Sequence, residues 1–244
     1  MTIRIAMWSG PRNISTAMMR AWENRADCAV SDEPFYAAYL AATGLDHPLR
    51  AEVLAGQPTD WRTVAAEMTG PAPDEAAIWY QKHMCQHMLP GIGLDWALAC
   101  RNAFLLRPPE QVLASYVAKR AEVTADDIGF RRQAEIFDFL AQRTDRAPIV
   151  IDAASVLAAP HAALTALCAA LDVPFCDDML AWPAGRRRSD GVWAPAWYDA
   201  VERSTGFASP GRVASFDDLP DPLKRVAEAS RPYYERLLPY RLVV

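Results

Sequence analysis

The first residues able to do chemistry lie between positions 3 and 20. There Gly10, Pro11, Arg12, Asn13, Ser15 and Thr16 stand between an apolar run and a stretch of helix formers. A chain reversal directly before a helix leaves backbone N–H groups unpaired and aimed at one spot, and the helix dipole favours negative charge there. Arg12 adds a fixed cation, and Ser15 and Thr16 add hydroxyl donors. Such a set suits a phosphate-like or sulfate-like group; the alternative is an ordinary capped helix after a strand. A second anion-binding set follows at Arg107, which ends the apolar run Ala103 to Leu106, with Pro109 preorganised for a helix start and Ser115 eight residues beyond the arginine. A third is Arg186, Arg187 and Arg188 ahead of Gly191 and Trp193. Guanidinium forks pair with phosphate, although a run of like charge also reads as a solvated face.

Two residues are candidates for proton transfer. His83 follows the apolar run Ala76 to Gln81, and an imidazole of ordinary pKa ~6.5 takes a hydroxyl proton near neutral pH. Glu33, in Asp32-Glu33-Pro34, is the competing base; the alternative is an acidic residue at a helix start. Lys82 stands beside His83, in position to touch the group transferred. His87, one helical turn on, is a weaker base candidate than His83. Phe35, Tyr36 and Tyr39 read equally as pocket lining or as core.

A nucleoside-triphosphate loop needs G-x-x-x-x-G-K-[ST], and both the second glycine and the lysine are missing. Pro11-Arg12-Asn13-Ile14-Ser15-Thr16-Ala17 instead resembles the loop Pro-Lys-Ser-Gly-Thr-Thr-Trp of sulfotransferases that use 3′-phosphoadenosine 5′-phosphosulfate (PAPS). Arginine replaces the lysine, Ile14 the glycine and Ala17 the last tryptophan. Arg107, Pro109 and Ser115 resemble the 3′-phosphate motif of the same family. Arg186 to Trp193 resembles its late Arg-Lys-Gly-x-x-Gly-x-Trp loop, with Arg188 at the first glycine. His83 aligns with the histidine of the family's Lys-Thr-His-Leu-Pro, which sets Met88-Leu89-Pro90 on a following Leu-Leu-Pro. The resemblance implies His83 as general base. In some bacterial and heparan-type members a glutamate does this work, which implies Glu33. It covers Ile3 to about Trp193.

These groups need a scaffold. Ala76 to Gln81, Ala103 to Leu106 and Ile149 to Ile151 are continuous apolar runs, as in parallel strands buried on both faces. Cys28 to Ser31 is a further short strand. Helices are predicted at Asn13 to Asn24, Phe35 to Thr43 (stopped by Gly44), Asp60 to Met68, Pro109 to Arg120, Asp126 to Arg143, Pro160 to Leu171 and Leu223 to Leu238. The expected class is α/β, a parallel sheet flanked by helices with ligands at the carboxyl ends of the strands. The resemblance implies the P-loop-like sulfotransferase architecture.

A chain of 244 residues, 52% hydrophobic, can bury a large core, and no linker, repeat or low-complexity block divides it. One domain over residues 1–244 is expected. The five cysteines lack paired C-x-x-C spacing and read as reduced small hydrophobes of a cytoplasmic protein. A net charge of −5 argues against nucleic-acid or anionic-membrane partners. No apolar run approaches the ~20 residues that span a bilayer.

The expected function is a metal-independent sulfotransferase with PAPS as co-substrate and a small hydroxyl or amine acceptor. Gly10, Pro11, Arg12, Asn13, Ser15, Thr16, Arg107, Ser115, Arg186, Arg187 and Trp193 would hold the nucleotide, with Trp193 against the adenine. His83, Glu33 and Lys82 would act at the reacting centre. Two alternatives remain open: a magnesium-dependent phosphotransferase using Asp152, at the end of an apolar strand, and a non-catalytic nucleotide binder.

Overall fold

The computed structural model describes residues 2–117, 122–145, 147–208 and 213–244. Five parallel strands, β1 (Ile3–Ser9), β2 (Cys28–Asp32), β3 (Ile78–Met84), β4 (Arg101–Leu106) and β5 (Ile149–Asp152), form one sheet in the order β2-β3-β1-β4-β5. Among the described residues the helices are α1 (Ser15–Glu23), α2 (Tyr36–Thr43), α3 (Arg50–Gly56), α4 (Trp61–Thr69), α5 (Pro109–Tyr116) and α6 (Phe130–Ala141). After β5 come α7 (Ala153–Ala158), α8 (Pro160–Ala170), α9 (Ala194–Trp197), α10 (Asp199–Glu202) and α11 (Asp221–Leu237).

Period-two geometry explains why the strands read as continuous apolar runs. Ile5 and Met7 of β1 face one core with Met18, Met19 and Trp22 of α1 and Leu164 and Leu167 of α8. Ala6 and Trp8 face the other, with Val64 of α4, Val112 of α5, Phe137 of α6 and Leu237 of α11. Helices therefore cover both faces of the sheet, and the α/β class is as expected. None of the described helices is long and apolar enough to cross a membrane.

Several boundaries differ from expectation. Strand β3 continues past Gln81 to Met84, so Lys82 and His83 are strand residues on opposite faces. Helix α6 starts at Phe130, because the Asp127 carboxylate accepts from the Thr124 N–H and hydroxyl, both at 2.8 Å, and Gly129 turns with φ 70°. Helix α5 is described to Tyr116; residues 118–120 of the expected helix lie outside the described residues. Helix α3 was not anticipated, since Val53 alone of its residues is buried.

Candidate active site

At the carboxyl edge of the sheet a cavity of about 350 Å³ opens between the ends of β1, β2, β3 and β4. The turn from β1 into α1 forms one end. Gly10 packs so closely on the Ile128 carbonyl that a Cβ would lie 2.5 Å from it, so no larger residue fits. Arg12 (φ 59°) and Ile14 (φ 55°) both adopt the left-handed region, a path that turns successive N–H groups inward as in anion-binding nests. Among the described residues no side chain caps the start of α1. Asn13 is fully buried on the cavity wall, with neither amide atom partnered among the described residues.

The second arginine motif reaches the same place. Arg12 Nε donates to Ser115 Oγ at 3.0 Å, and Arg107 Nη1 donates to the Arg12 carbonyl at 2.7 Å. Burial lowers the pKa of both guanidiniums, and the Arg12 charge lowers that of Arg107 further, whereas Asp199 acts to raise that of Arg12. Two cations held side by side in a half-buried wall favour an anion between them.

The other end is a buried charge cluster. Parallel pairing sets Lys82 opposite Asp32. Lys82 Nζ donates to Asp32 Oδ1 at 2.8 Å, to Glu33 Oε1 at 2.7 Å and to the Tyr198 hydroxyl at 2.7 Å, which uses all three ammonium hydrogens. Tyr198 donates to Asp32 Oδ2 at 2.7 Å and accepts from Trp193 Nε1 at 3.0 Å. Burial opposes the Lys82 charge, but Asp32 and Glu33 outweigh it and hold the ammonium protonated. Burial raises the Glu33 carboxyl above the usual range; Lys82 opposes the shift and Asp32 adds to it. Two carboxylates share one ammonium, so the upward direction follows. Glu33 also sits at φ 43°. Its Oε2 lies 3.9 Å from Nε2 of His87, a buried ring stacked between Tyr36 and Tyr39 at centroid distances of 4.6 and 4.8 Å. Burial holds the His87 pKa well below its ordinary value, and His47, Lys82 and His83 add to this.

Three expectations about position need correction. His83 does not line the cavity: strand alternation turns it into the core against Trp8, Phe35 and Trp96, and burial pushes its pKa down to about 3. Arg186 is exposed and Arg187 half-buried away from the cavity, where Arg187 donates to the Pro183 carbonyl at 2.6 Å and approaches Glu23 at 3.9 Å. Buried Arg20 anchors that loop through Asp190 at 2.6 Å, a partner the sequence did not announce. Trp193 does line the cavity, but its ring packs where a Gly191 Cβ would stand, and it is buried. Gly10 lies behind the turn; Pro11, Arg12, Asn13, Ser15, Thr16, Glu33, Lys82, Arg107 and Ser115 all line the cavity. Sequence reasoning missed Tyr198 and Trp197, which carry no local motif. Asp152, the candidate magnesium ligand, caps α7 through the Ala154 N–H at 2.6 Å and faces Arg241 at 3.4 Å. Among the described residues no group of three or more His, Cys, Asp or Glu side chains could hold a metal ion.

The family model of the sulfotransferase domain matches residues 3–237. The chain belongs to the sulfotransferase family. Among curated proteins, the sulfotransferase chain is 34% identical over 206 residues to the branched-chain-amino-acid aminotransferase-like protein 2 of Arabidopsis thaliana, covering 84% of this chain and 36% of that protein. It is 36% identical to protein 1 of that description from the same plant, with 84% and 37% covered. It thus spans little more than a third of the length of these relatives. Among solved structures, a sulfotransferase domain from the curacin biosynthetic pathway aligns with TM-score 0.56 at 14% identity over 94% of this chain and 97% of that one. A sulfotransferase from Alicyclobacillus acidocaldarius aligns with TM-score 0.57 at 11% identity over 100% and 98%. At such identities the likeness is one of fold. Family and fold together support a transferase.

Proposed function

We propose that the chain transfers a sulfuryl group from PAPS to a hydroxyl or amine, with Glu33 as the proton acceptor. The observation that carries this reading is the contact of Arg12 with Ser115, which joins two phosphate-binding motifs 103 positions apart on one cavity wall. The uncapped start of α1 and the unpartnered Asn13 amide fit a phosphosulfate group, and Arg107 fits a second phosphate.

In this reading Arg12, Ser15, Thr16 and the first amides of α1 hold the donor's anionic end. They stabilise the charge that gathers on the leaving phosphate oxygen, where fixed donors contribute most. Glu33 takes the acceptor proton, and its raised pKa makes it a stronger base than an exposed carboxylate. Lys82 fixes the Glu33 carboxylate through Oε1, leaving Oε2 for the acceptor. No step assigned to these residues requires a metal ion.

Calorimetry with 3′-phosphoadenosine 5′-phosphate, and separately with ATP plus magnesium, tests the reading. Tight binding of the bisphosphate without magnesium and poor binding of ATP are expected. ATP binding of equal strength that depends on magnesium would overturn it.

A further inference from the structure

The charge cluster at the acceptor end does not balance. Asp32 and Glu33 face one ammonium, and Lys82 has no hydrogen left to offer an incoming anion. The Gly191 N–H, at 3.0 Å, and the Tyr198 hydroxyl are also committed to Asp32. Around Glu33 the cavity wall is aromatic: Tyr36, Trp193, Trp197 and Tyr198 line it, with Trp197 half-buried. His87 joins them, its Nδ1 buried without a partner among the described residues. The Nδ1 of His47 meets the Tyr36 hydroxyl at 2.7 Å. The two arginines of the cavity stand at its other end, around Ser115.

A surplus of buried negative charge within an aromatic wall attracts a cation, by charge and by the ring quadrupoles, and rejects a carboxylate. A neutral imidazole nitrogen lacking a protein partner accepts an N–H or O–H as readily. We propose that the acceptor is a small amino alcohol, with its ammonium group among these rings and its hydroxyl the nucleophile. This rests on the donor reading above. The hydroxyl oxygen bonds to sulfur as its proton passes to Glu33. The bond from sulfur to the bridging oxygen breaks, and its electron pair leaves on the 5′-phosphate. The products are the amino alcohol's sulfate ester and 3′-phosphoadenosine 5′-phosphate. The ammonium also compensates the carboxylate pair, which favours the ionised Glu33 that the step requires.

Ethanolamine, ethylene glycol and glycolate share a two-carbon hydroxyl frame and differ in the charge at the far end. With the chain saturated by 3′-phosphoadenosine 5′-phosphate, calorimetry should find ethanolamine bound roughly tenfold or more tighter than ethylene glycol, and glycolate weakest, the margin expected of a cation–π contact plus a charge-assisted hydrogen bond. Mass spectrometry should detect the sulfate ester of ethanolamine when PAPS is supplied. Trp197→Leu should shrink the preference for ethanolamine. Equal affinities, a preference for glycolate, or no binding of any of the three would overturn the proposal, and the wild-type series decides this alone if the variant fails to fold. Titration with the bisphosphate alone separates the two readings: if it does not bind while ethanolamine is still preferred, the donor reading falls and the amine site stands.

Discussion

The two ends of the cavity solve opposite problems. At the arginine end the protein leaves groups unsatisfied: an uncapped helix, an Asn13 amide without partners and two neighbouring guanidiniums. At the carboxylate end nearly every polar group is engaged, with Lys82, Asp32, Glu33, Tyr198 and Trp193 in one connected network. The first arrangement waits for a ligand to complete it. The second ties its groups mainly to one another around a base at a raised pKa, and leaves an acceptor only the excess carboxylate charge and the His87 Nδ1 to meet.

Changes at the carboxylate end should act on rate, with the largest effect expected. Glu33→Gln keeps the shape and the Lys82 contact but removes the base, so turnover should fall about 10²- to 10⁴-fold while bisphosphate affinity stays near wild type. Because burial raises the Glu33 pKa, wild-type turnover should climb with pH through a range above the ordinary ~4.3 of a glutamate. The residual activity of the variant should lack that limb. A Glu33→Gln protein with full turnover would remove the base from this account and break the contrast.

The arginine end should respond in affinity. Arg107→Ala should weaken the bisphosphate by about 1.5–3 kcal/mol, the range for a hydrogen bond to a charged group. It should weaken 5′-AMP, which lacks the 3′-phosphate, much less. Equal losses for both nucleotides would mean that Arg107 acts by holding the Arg12 carbonyl and not by meeting a phosphate.

The same contrast governs what was legible in the sequence. The arginine end is built from short segments, strand–turn–helix at Gly10 to Thr16 and strand–helix at Arg107 to Ser115, so residue type and spacing revealed it. The carboxylate end is assembled by contacts such as Tyr198 to Asp32, 166 positions apart, and Tyr198 carries no motif. The apolar run ends at Gln81, yet strand β3 continues through Lys82 and His83 to Met84. Lys82 is buried because Asp32, its parallel partner, and Glu33 neutralise it, and His83 because aromatic rings surround it and its Nε2 meets Gln81 Oε1 at 3.2 Å. Both facts depend on neighbours distant in sequence. The Arg186 loop failed for a related reason: its guanidiniums matched a pattern, while Arg20, a helix residue with no such pattern, anchors the loop.

His83 gives a sharper test of that correction through pH. Its folded pKa, lowered to about 3 by burial, lies below the ~6.5 of the unfolded chain. Between those values the unfolded state binds the proton and the folded state does not, so stability falls as pH drops from 6.5 toward 3 and is unaffected by this group above 6.5. The cost approaches about 1.4 kcal/mol per pH unit. His83→Phe, filling the space between Trp8, Phe35 and Trp96, should remove about one proton's share of the slope in urea denaturation at pH 7, 6 and 5. The share from His87 should remain. Turnover at neutral pH should change by no more than a few-fold, and a collapse of turnover with stability intact would return His83 to the reacting centre.

The smallest effect is expected at Ile14. A β-branched residue at φ 55° is strained, by about 1–3 kcal/mol, at the position where the related loop carries glycine. Ile14→Gly relieves that strain, but it adds about 1 kcal/mol of backbone entropy to be lost on folding and removes the packing of a partly buried side chain against the core that holds Met18 and Met19. The terms oppose one another, so chemical denaturation should find a net change under about 1 kcal/mol, well below the ordinary penalty for truncating an isoleucine in a core. Bisphosphate affinity should hold, since the amides that face the anion belong to the backbone. A loss of several kcal/mol would show that Ile14 is packed too well to be strained, and that the loop reaches its left-handed path for another reason. A large loss of affinity with stability unchanged would instead make the Ile14 side chain part of the arginine end, and the isoleucine would then be a device of this chain rather than a tolerated departure from glycine.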